Sequence, residues 1–302
     1  MAFITTHFIN EHIINEWEKL NATPGIDAFL LIDNTKKRIS NPSNLQYGEL
    51  HVYGKKPKVM LFDYDFHCSL HLPLQMRRIG KECKDETMFP RFTWYRGDFR
   101  FNYARHIFPD YDYYWQIEND CYFNTHGNND APFFEIWNDR EEDVLGYAIR
   151  NVMEGDDNSW GFLGKGLKWL YGDRGIWKIY YPIVRLSGRT IDMLEKDAVE
   201  VEKEFLALNN KKISWPHCEE WTLSQAVKHG MTFAKINEHP SYVKFKPIIR
   251  DQKEIDIVGQ FEKWHHPFKT KADPDLQEIV LYETTIERKE PFARGVSLED
   301  FM

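Results

Sequence analysis

Three short, largely apolar runs, each ending in an acid, set the tightest limit on how this chain folds. Ala28-Phe29-Leu30-Leu31-Ile32 leads into Asp33, Lys58-Val59-Met60-Leu61-Phe62 into Asp63, and Tyr113-Tyr114-Trp115-Gln116-Ile117 into Glu118. Runs of this length bounded by polar punctuation fit strands buried on both faces. Val144–Ile149 and Met231–Ile236 read as two further strands.

Helical patterns alternate with these strands. Asn10 is a helix cap followed by Ile13, Ile14, Trp17 and Leu20 at helical spacing, and Thr23-Pro24-Gly25 stops the helix. Helices are also expected over about 72–83 and 98–107, from Pro132, and over 219–229 before Gly230. The most regular is 190–208, where Ile191, Leu194, Ala198, Val201, Phe205 and Leu208 repeat at gaps of 3, 4, 3, 4 and 3. Strands alternating with helices predict an α/β domain with a largely parallel sheet. Residues 34–57 and 150–176 read as long irregular connections. After Pro240 the alternation is lost. The expected organisation is therefore a main domain over 1–240 and a C-terminal extension over 241–302 packed on it.

Composition narrows the function classes. The chain of 302 residues carries a net charge of −8, so a general nucleic-acid binder is excluded, since phosphate neutralisation needs a basic surface. Aromatic residues form 15% of it, far too many for a disordered chain. Most of these rings are expected in the core, since aromatics carry large buried area. Cys68, Cys83, Cys121 and Cys218 include no CxxC pair, which points to free thiols in a reducing compartment. No signal peptide or transmembrane stretch is visible, so a cytoplasmic location with at most peripheral membrane contact is expected.

The strand-end acids carry the chemistry. Residues i and i+2 of an extended chain point to one side, so Glu118 and Asp120 can face one cleft at the carboxyl end of their strand. Mg²⁺ or Mn²⁺ takes oxygen ligands, commonly one or two carboxylates with substrate phosphates and water. Asp63 and Asp65 form a second such pair. That pair admits a haloacid-dehalogenase-like phosphatase with Asp63 as nucleophile, Asp65 as acid/base and Ser187 in its second motif, although Phe66-His67-Cys68 departs from the small residues expected after that motif. Glu219 and Glu220 open a helix, where acids suit the dipole and can also serve as a general base. His239 follows the strand ending at Ile236. Trp160–Gly166 reads equally as a packed Ω-loop or as a loop able to close over a bound ligand.

Together these residues resemble a GT-A type nucleotide-sugar glycosyltransferase. The segment Tyr111-Asp112-Tyr113-Tyr114-Trp115-Gln116-Ile117-Glu118-Asn119-Asp120 is particularly similar to one in a glycosyltransferase-like group common in fungi. The likeness resumes at Glu219-Glu220-Trp221, Ala226–Gly230 and His239-Pro240, and covers residues 90–240 in patches. The resemblance implies a GT-A-like, Rossmann-like mixed sheet flanked by helices. It implies Glu118, Asp120 and His239 as ligands of Mn²⁺ or Mg²⁺, and Glu219 as base with Glu220 as substitute. The donor would be a nucleoside diphosphate sugar, and the acceptor a glycan or lipid-linked saccharide of polysaccharide biosynthesis. Asp33 and Asp63 are expected at the base or ribose, and Arg96, Asp98, Arg105 and Arg185 along the donor pocket. Glu118 replaces the first Asp of the usual D-x-D motif. A non-catalytic glycan-binding module is the remaining alternative.

Overall fold

The computed structural model describes residues 1–34, 39–62, 96–124, 131–152, 168–171, 175–208, 215–236, 244–249, 263–268, 276 and 279–289. The chain opens with β1 (Ala2–Thr6), α1 (Glu11–Ala22), β2 (Ala28–Asp33), β3 (Ile39–Ser40), β4 (Tyr47–Leu50) and β5 (Lys58–Phe62). There follow α2 (Asp98–Ile107), β6 (Tyr113–Glu118), β7 (Tyr122–Asn124), α3 (Ala131–Trp137), β8 (Val144–Val152) and α4 (Lys168–Tyr171). Next come β9 (Ile176–Ser187), α5 (Gly188–Ala207), α6 (Cys218–Lys228) and β10 (Phe233–Lys235). The last described elements are β11 (Lys244–Ile249), β12 (Lys263–Phe268) and β13 (Ile279–Tyr282).

Ten strands form one mixed, mostly parallel sheet in the order β10-β8-β9-β6-β1-β2-β5-β4-β13-β3. Its centre, β6-β1-β2-β5, is all parallel, so four strand carboxyl ends lie along one edge. β9 runs antiparallel between β6 and β8. This is the α/β architecture the alternation predicts. A second sheet joins β11, β12 and β7.

The strands separate two apolar layers. On one face Phe3, Phe29, Leu31, Met60 and Phe62 pack with Phe101 and Tyr103 of α2, Ile191 and Leu194 of α5, and Trp221 and Leu223 of α6. On the other, Ile4, Leu30, Leu61, Trp115 and Ile117 pack with Ile13, Ile14, Trp17 and Leu20 of α1 and with Phe133 and Phe134 of α3. Asn10 caps α1 by accepting from the Ile13 amide at 2.9 Å, as its sequence predicts. The Trp17 indole donates to the Ala28 carbonyl at 3.1 Å and ties that helix to β2. Helix α5 buries its apolar stripe through Phe205, but ends at Ala207, which leaves Leu208 exposed.

Several strands escape the sequence reading, among them the two that flank β6. β1 is wholly buried at the sheet centre and is paired on both sides. β9 holds Pro182, Lys178 and Arg185, residues that argue against a central strand, and begins inside what reads as a loop. The 34–57 segment supplies β3 and β4. Residues after 240 add β13 to the main sheet beside β4, and the Lys289 amide donates to Asp27 at 3.1 Å. The expected helix over 72–83 and the Trp160–Gly166 loop lie outside the described residues. Among those described, no helix is long and apolar enough to cross a membrane. Cys121 and Cys218 are buried free thiols; Cys68 and Cys83 lie outside the described set.

Candidate active site

The parallel register brings β1, β2, β5 and β6 to the same edge. Asp33 ends β2 and pairs with Phe62 of β5, while Thr5 of β1 pairs with Glu118 at the end of β6. The chain then turns, closed by the Cys121 amide donating to the Glu118 carbonyl at 3.0 Å, and Asp120 lies in that turn. Arg100 reaches in from α2, its guanidinium 3.4 Å from the Thr5 hydroxyl and 4.0 Å from the Glu118 carboxylate.

β9 builds the wall of this cleft. Ile183 pairs with Ile117, so residues 176–182 run on past the carboxyl end of β6. The Cys121 thiol donates to the Pro182 carbonyl at 3.4 Å and fixes the Glu118–Cys121 turn against that wall. Tyr180 stands there. Burial and the charges of Glu219, Glu118 and Asp120 all push its phenol upward. The acids of the strand end and of the helix start therefore lie within electrostatic range of one tyrosine.

Helix α6 is docked along β9 by side chains facing that strand. The Thr222 hydroxyl meets the Tyr181 hydroxyl at 2.5 Å, and the Ser224 hydroxyl donates to the Trp177 carbonyl at 3.0 Å while accepting from its amide at 2.9 Å. At the helix start the His217 ring accepts from the Glu219 amide at 3.3 Å. Burial pushes that histidine down to about 4, which keeps it neutral and able to cap. Space is tight behind this turn: a Cβ at Gly97 would sit 3.1 Å from the Cys218 sulfur. Of the paired acids, the Glu219 side chain is 12% exposed, whereas Glu220 is 1% exposed with Oε1 unpartnered. Burial, then the adjacent Glu219 charge, pushes Glu220 up to about 8. At neutral pH Glu220 is protonated, and Glu219 is the more exposed acid of the pair.

The other sequence-predicted residues have different surroundings. Asp98 is buried behind the α6 start in an ion pair with Arg96, at 2.9 Å and 2.5 Å, beneath the rings of Phe99 and Trp215. Arg105 sits at the far end of α2, paired with Asp192 and bonded to the Pro109 and Tyr111 carbonyls. Arg185 is buried and donates to the carbonyls of Trp137, Arg140 and Glu142. Its Cα partner is Trp115 near the start of β6, and Ser187 pairs with Tyr113, so both lie toward the amino edge of β6. Arg105 and Arg185 are thus not brought to the carboxylates. A phosphatase second motif at Ser187 is likewise set at the opposite edge from Phe62, which precedes Asp63. Asp63, Asp65 and His239 lie outside the described residues. Arg100, Tyr180 and His217 belong to the site without any distinguishing signal in their local sequence.

The buried Arg96–Asp98 pair supports the α6 start, and Asp98→Ala removes the two-point carboxylate contact to its guanidinium. The expected loss is about 3 kcal/mol, the scale of breaking a buried hydrogen-bonded ion pair. Urea denaturation measures it; a loss below about 1 kcal/mol would mean the pair carries little of the local stability.

Among the described residues no group of three or more His, Cys, Asp or Glu is arranged to hold a metal. Glu118 ends β6 and Asp120 lies in the turn after it, so the extended i, i+2 alternation that would align them stops at Glu118; both are oxygen donors of the kind Mg²⁺ or Mn²⁺ takes when phosphates and water complete the shell.

No protein-family profile and no curated protein matches the chain. Among solved structures it is similar to a glycosyltransferase involved in glycosylation of the major capsid of PBCV-1, with 14% identity, TM-score 0.37, and 89% of this chain and 93% of that one covered. It is similar to mouse xyloside xylosyltransferase 1 in its apo form, with 11% identity, TM-score 0.41, and 88% and 97% covered. It is also similar to the galactosyltransferase LgtC in complex with donor and acceptor sugar analogs, with 10% identity, TM-score 0.39, and 86% and 79% covered. All three neighbours are glycosyltransferases, but superpositions this loose carry nothing about chemistry, which rests on the residues of this chain.

Proposed function

We propose that the chain is a glycosyltransferase moving a sugar from a nucleoside diphosphate sugar to a hydroxyl of a glycan or glycolipid acceptor, as a step of polysaccharide biosynthesis. The observation that carries this reading is the placement of Glu118 and Asp120 at and just after the end of β6, on the carboxyl edge of parallel strands, with Tyr180 of β9 in electrostatic range of both and of Glu219. Ligands of open α/β sheets bind at that edge.

In this reading Glu118 and Asp120 hold Mg²⁺ or Mn²⁺, with His239 as the third protein ligand. The ion supplies Lewis-acid neutralisation of the leaving diphosphate. Arg100, beside Glu118, adds a fixed positive charge near the phosphates. Asp33, at the end of the neighbouring strand, is available to donor hydroxyls, and Asp63 is assigned the same side. Glu219 takes the proton of the acceptor hydroxyl as that oxygen attacks the anomeric carbon, and the diphosphate leaves from the opposite face. A single displacement of this kind inverts the anomeric centre.

The test is thermal stability of the full chain against a panel of UDP-, GDP- and TDP-sugars, with and without Mn²⁺. At least one nucleotide sugar should raise the melting temperature by several degrees only when metal is present. Stabilisation that is equal without metal, or absent across the panel, would overturn the metal-dependent donor site. Saccharide binding with no nucleotide effect would indicate a glycan-binding module.

A further inference from the structure

The aromatic side chains of the cleft wall extend that reading to the acceptor. Beyond the end of β6 the β8–β9 pairing is irregular: the register shifts between Gly146 and Tyr147, and again before Arg150. Ala148 lies between these shifts with φ of 52°. A non-glycine residue held there costs about 1 kcal/mol, and such bulges re-aim side chains beside functional sites. Here the irregularity sets Tyr147 opposite Tyr180, their ring centroids 6.4 Å apart and their planes at 58°. Both side chains are half-buried, so each retains an open part. The pair adjoins the turn that carries Glu118 and Asp120, which is pinned to the same strand at Pro182.

From this juxtaposition we infer that Tyr147 and Tyr180 form the subsite for a neutral sugar ring of the acceptor, resting on the glycosyltransferase reading above. Flat rings receive the apolar C–H faces of a pyranose, while the Glu219 carboxylate, whose charge acts on Tyr180, accepts a hydrogen bond from one of its hydroxyls. The same Glu219 carboxylate repels a uronic acid or a sugar phosphate, because like charges brought close are disfavoured. Tyr147 and Tyr180 therefore select a ring that is uncharged as well as hydroxylated.

The experiment is saturation-transfer NMR on the full chain. The probes are methyl glycosides of glucose, galactose, mannose, xylose and N-acetylglucosamine, with glucuronic acid and glucose 6-phosphate as charged counterparts. At least one neutral glycoside should bind through its C–H protons, and the charged sugars should not. Tyr180→Ala and Tyr147→Ala should each weaken that binding about ten-fold, whereas Tyr180→Phe keeps it. If an alanine variant fails to fold by circular dichroism, Tyr180→Leu preserves bulk without a flat face and should show the same loss. No glycoside binding, binding indifferent to both tyrosines, or equal binding of charged sugars would overturn the subsite. Tyrosine-dependent glycoside binding without any metal-dependent nucleotide-sugar stabilisation would instead sink the transferase reading and leave the subsite standing.

Discussion

Asp120→Ala is expected to abolish metal-dependent stabilisation by a nucleotide sugar and to lower transfer by about a hundred-fold or more, the scale of losing an electrostatic group that acts on developing charge. The reason lies in the local charge count. In the proposed reading Asp120 adds the second carboxylate of the cation site, while Arg100, 4.0 Å from Glu118, offsets part of that carboxylate's charge. Removing Asp120 would leave the proposed site with the partly offset Glu118 carboxylate and a weaker hold on a divalent ion. Asp120 sits in a partly exposed turn, so the variant should fold normally. Isothermal titration of the best donor with Mn²⁺, together with initial transfer rates, makes the measurement. Donor affinity and rate unchanged in Asp120→Ala would remove the strand-end pair from the mechanism.

Glu219→Gln should separate binding from chemistry. The amide keeps the size of the side chain but cannot take a proton, so turnover should fall by about a hundred-fold or more while donor affinity stays within about two-fold. Glu220→Gln is the informative comparison. That carboxyl is already neutral near pH 7 because it is buried beside Glu219, so the amide replaces an uncharged group and turnover should stay within about three-fold of wild type. Full turnover in Glu219→Gln would exclude it as base. A large loss in Glu220→Gln with little in Glu219→Gln would reverse the two roles.

The elements read correctly from sequence are those whose burial is written in their own residues. The helix carrying Ile13, Ile14, Trp17 and Leu20, and the one carrying Ile191 to Phe205, announce their buried faces by period. β2, β5 and β6 announce theirs by apolar continuity. β1 does not, because Ala2-Phe3-Ile4-Thr5-Thr6 becomes a strand through the partners that pair with both its edges. β9 hides for the opposite reason. Its proline and charged residues speak against a central strand, yet Pro182 falls where pairing with β6 has ended and its carbonyl takes the Cys121 thiol.

Acid positions in the site are likewise legible one at a time, since Glu118, Asp120, Glu219 and Glu220 each mark a strand end or a helix start. That Glu118, Asp120 and Glu219 come within electrostatic range of Tyr180 is not, because it depends on β9 overshooting β6 and on α6 docking along that overshoot. Strand direction explains the arginines. A residue at the end of a strand faces the cleft only when that strand runs with its parallel neighbours. β9 runs against them, so Arg185 and Ser187 end at the opposite edge. Arg105 closes the helix that leads into β6 and is left at that strand's start.

By itself the sequence determined the α/β class, the parallel centre of the sheet and which acids punctuate its elements, because each of these is encoded in local runs and spacings. Only the tertiary structure decided which acids share a cleft, which glutamate remains open, and which arginines lie away from it. Those properties arise from strand direction, register and burial between segments distant in sequence, and no local pattern records them.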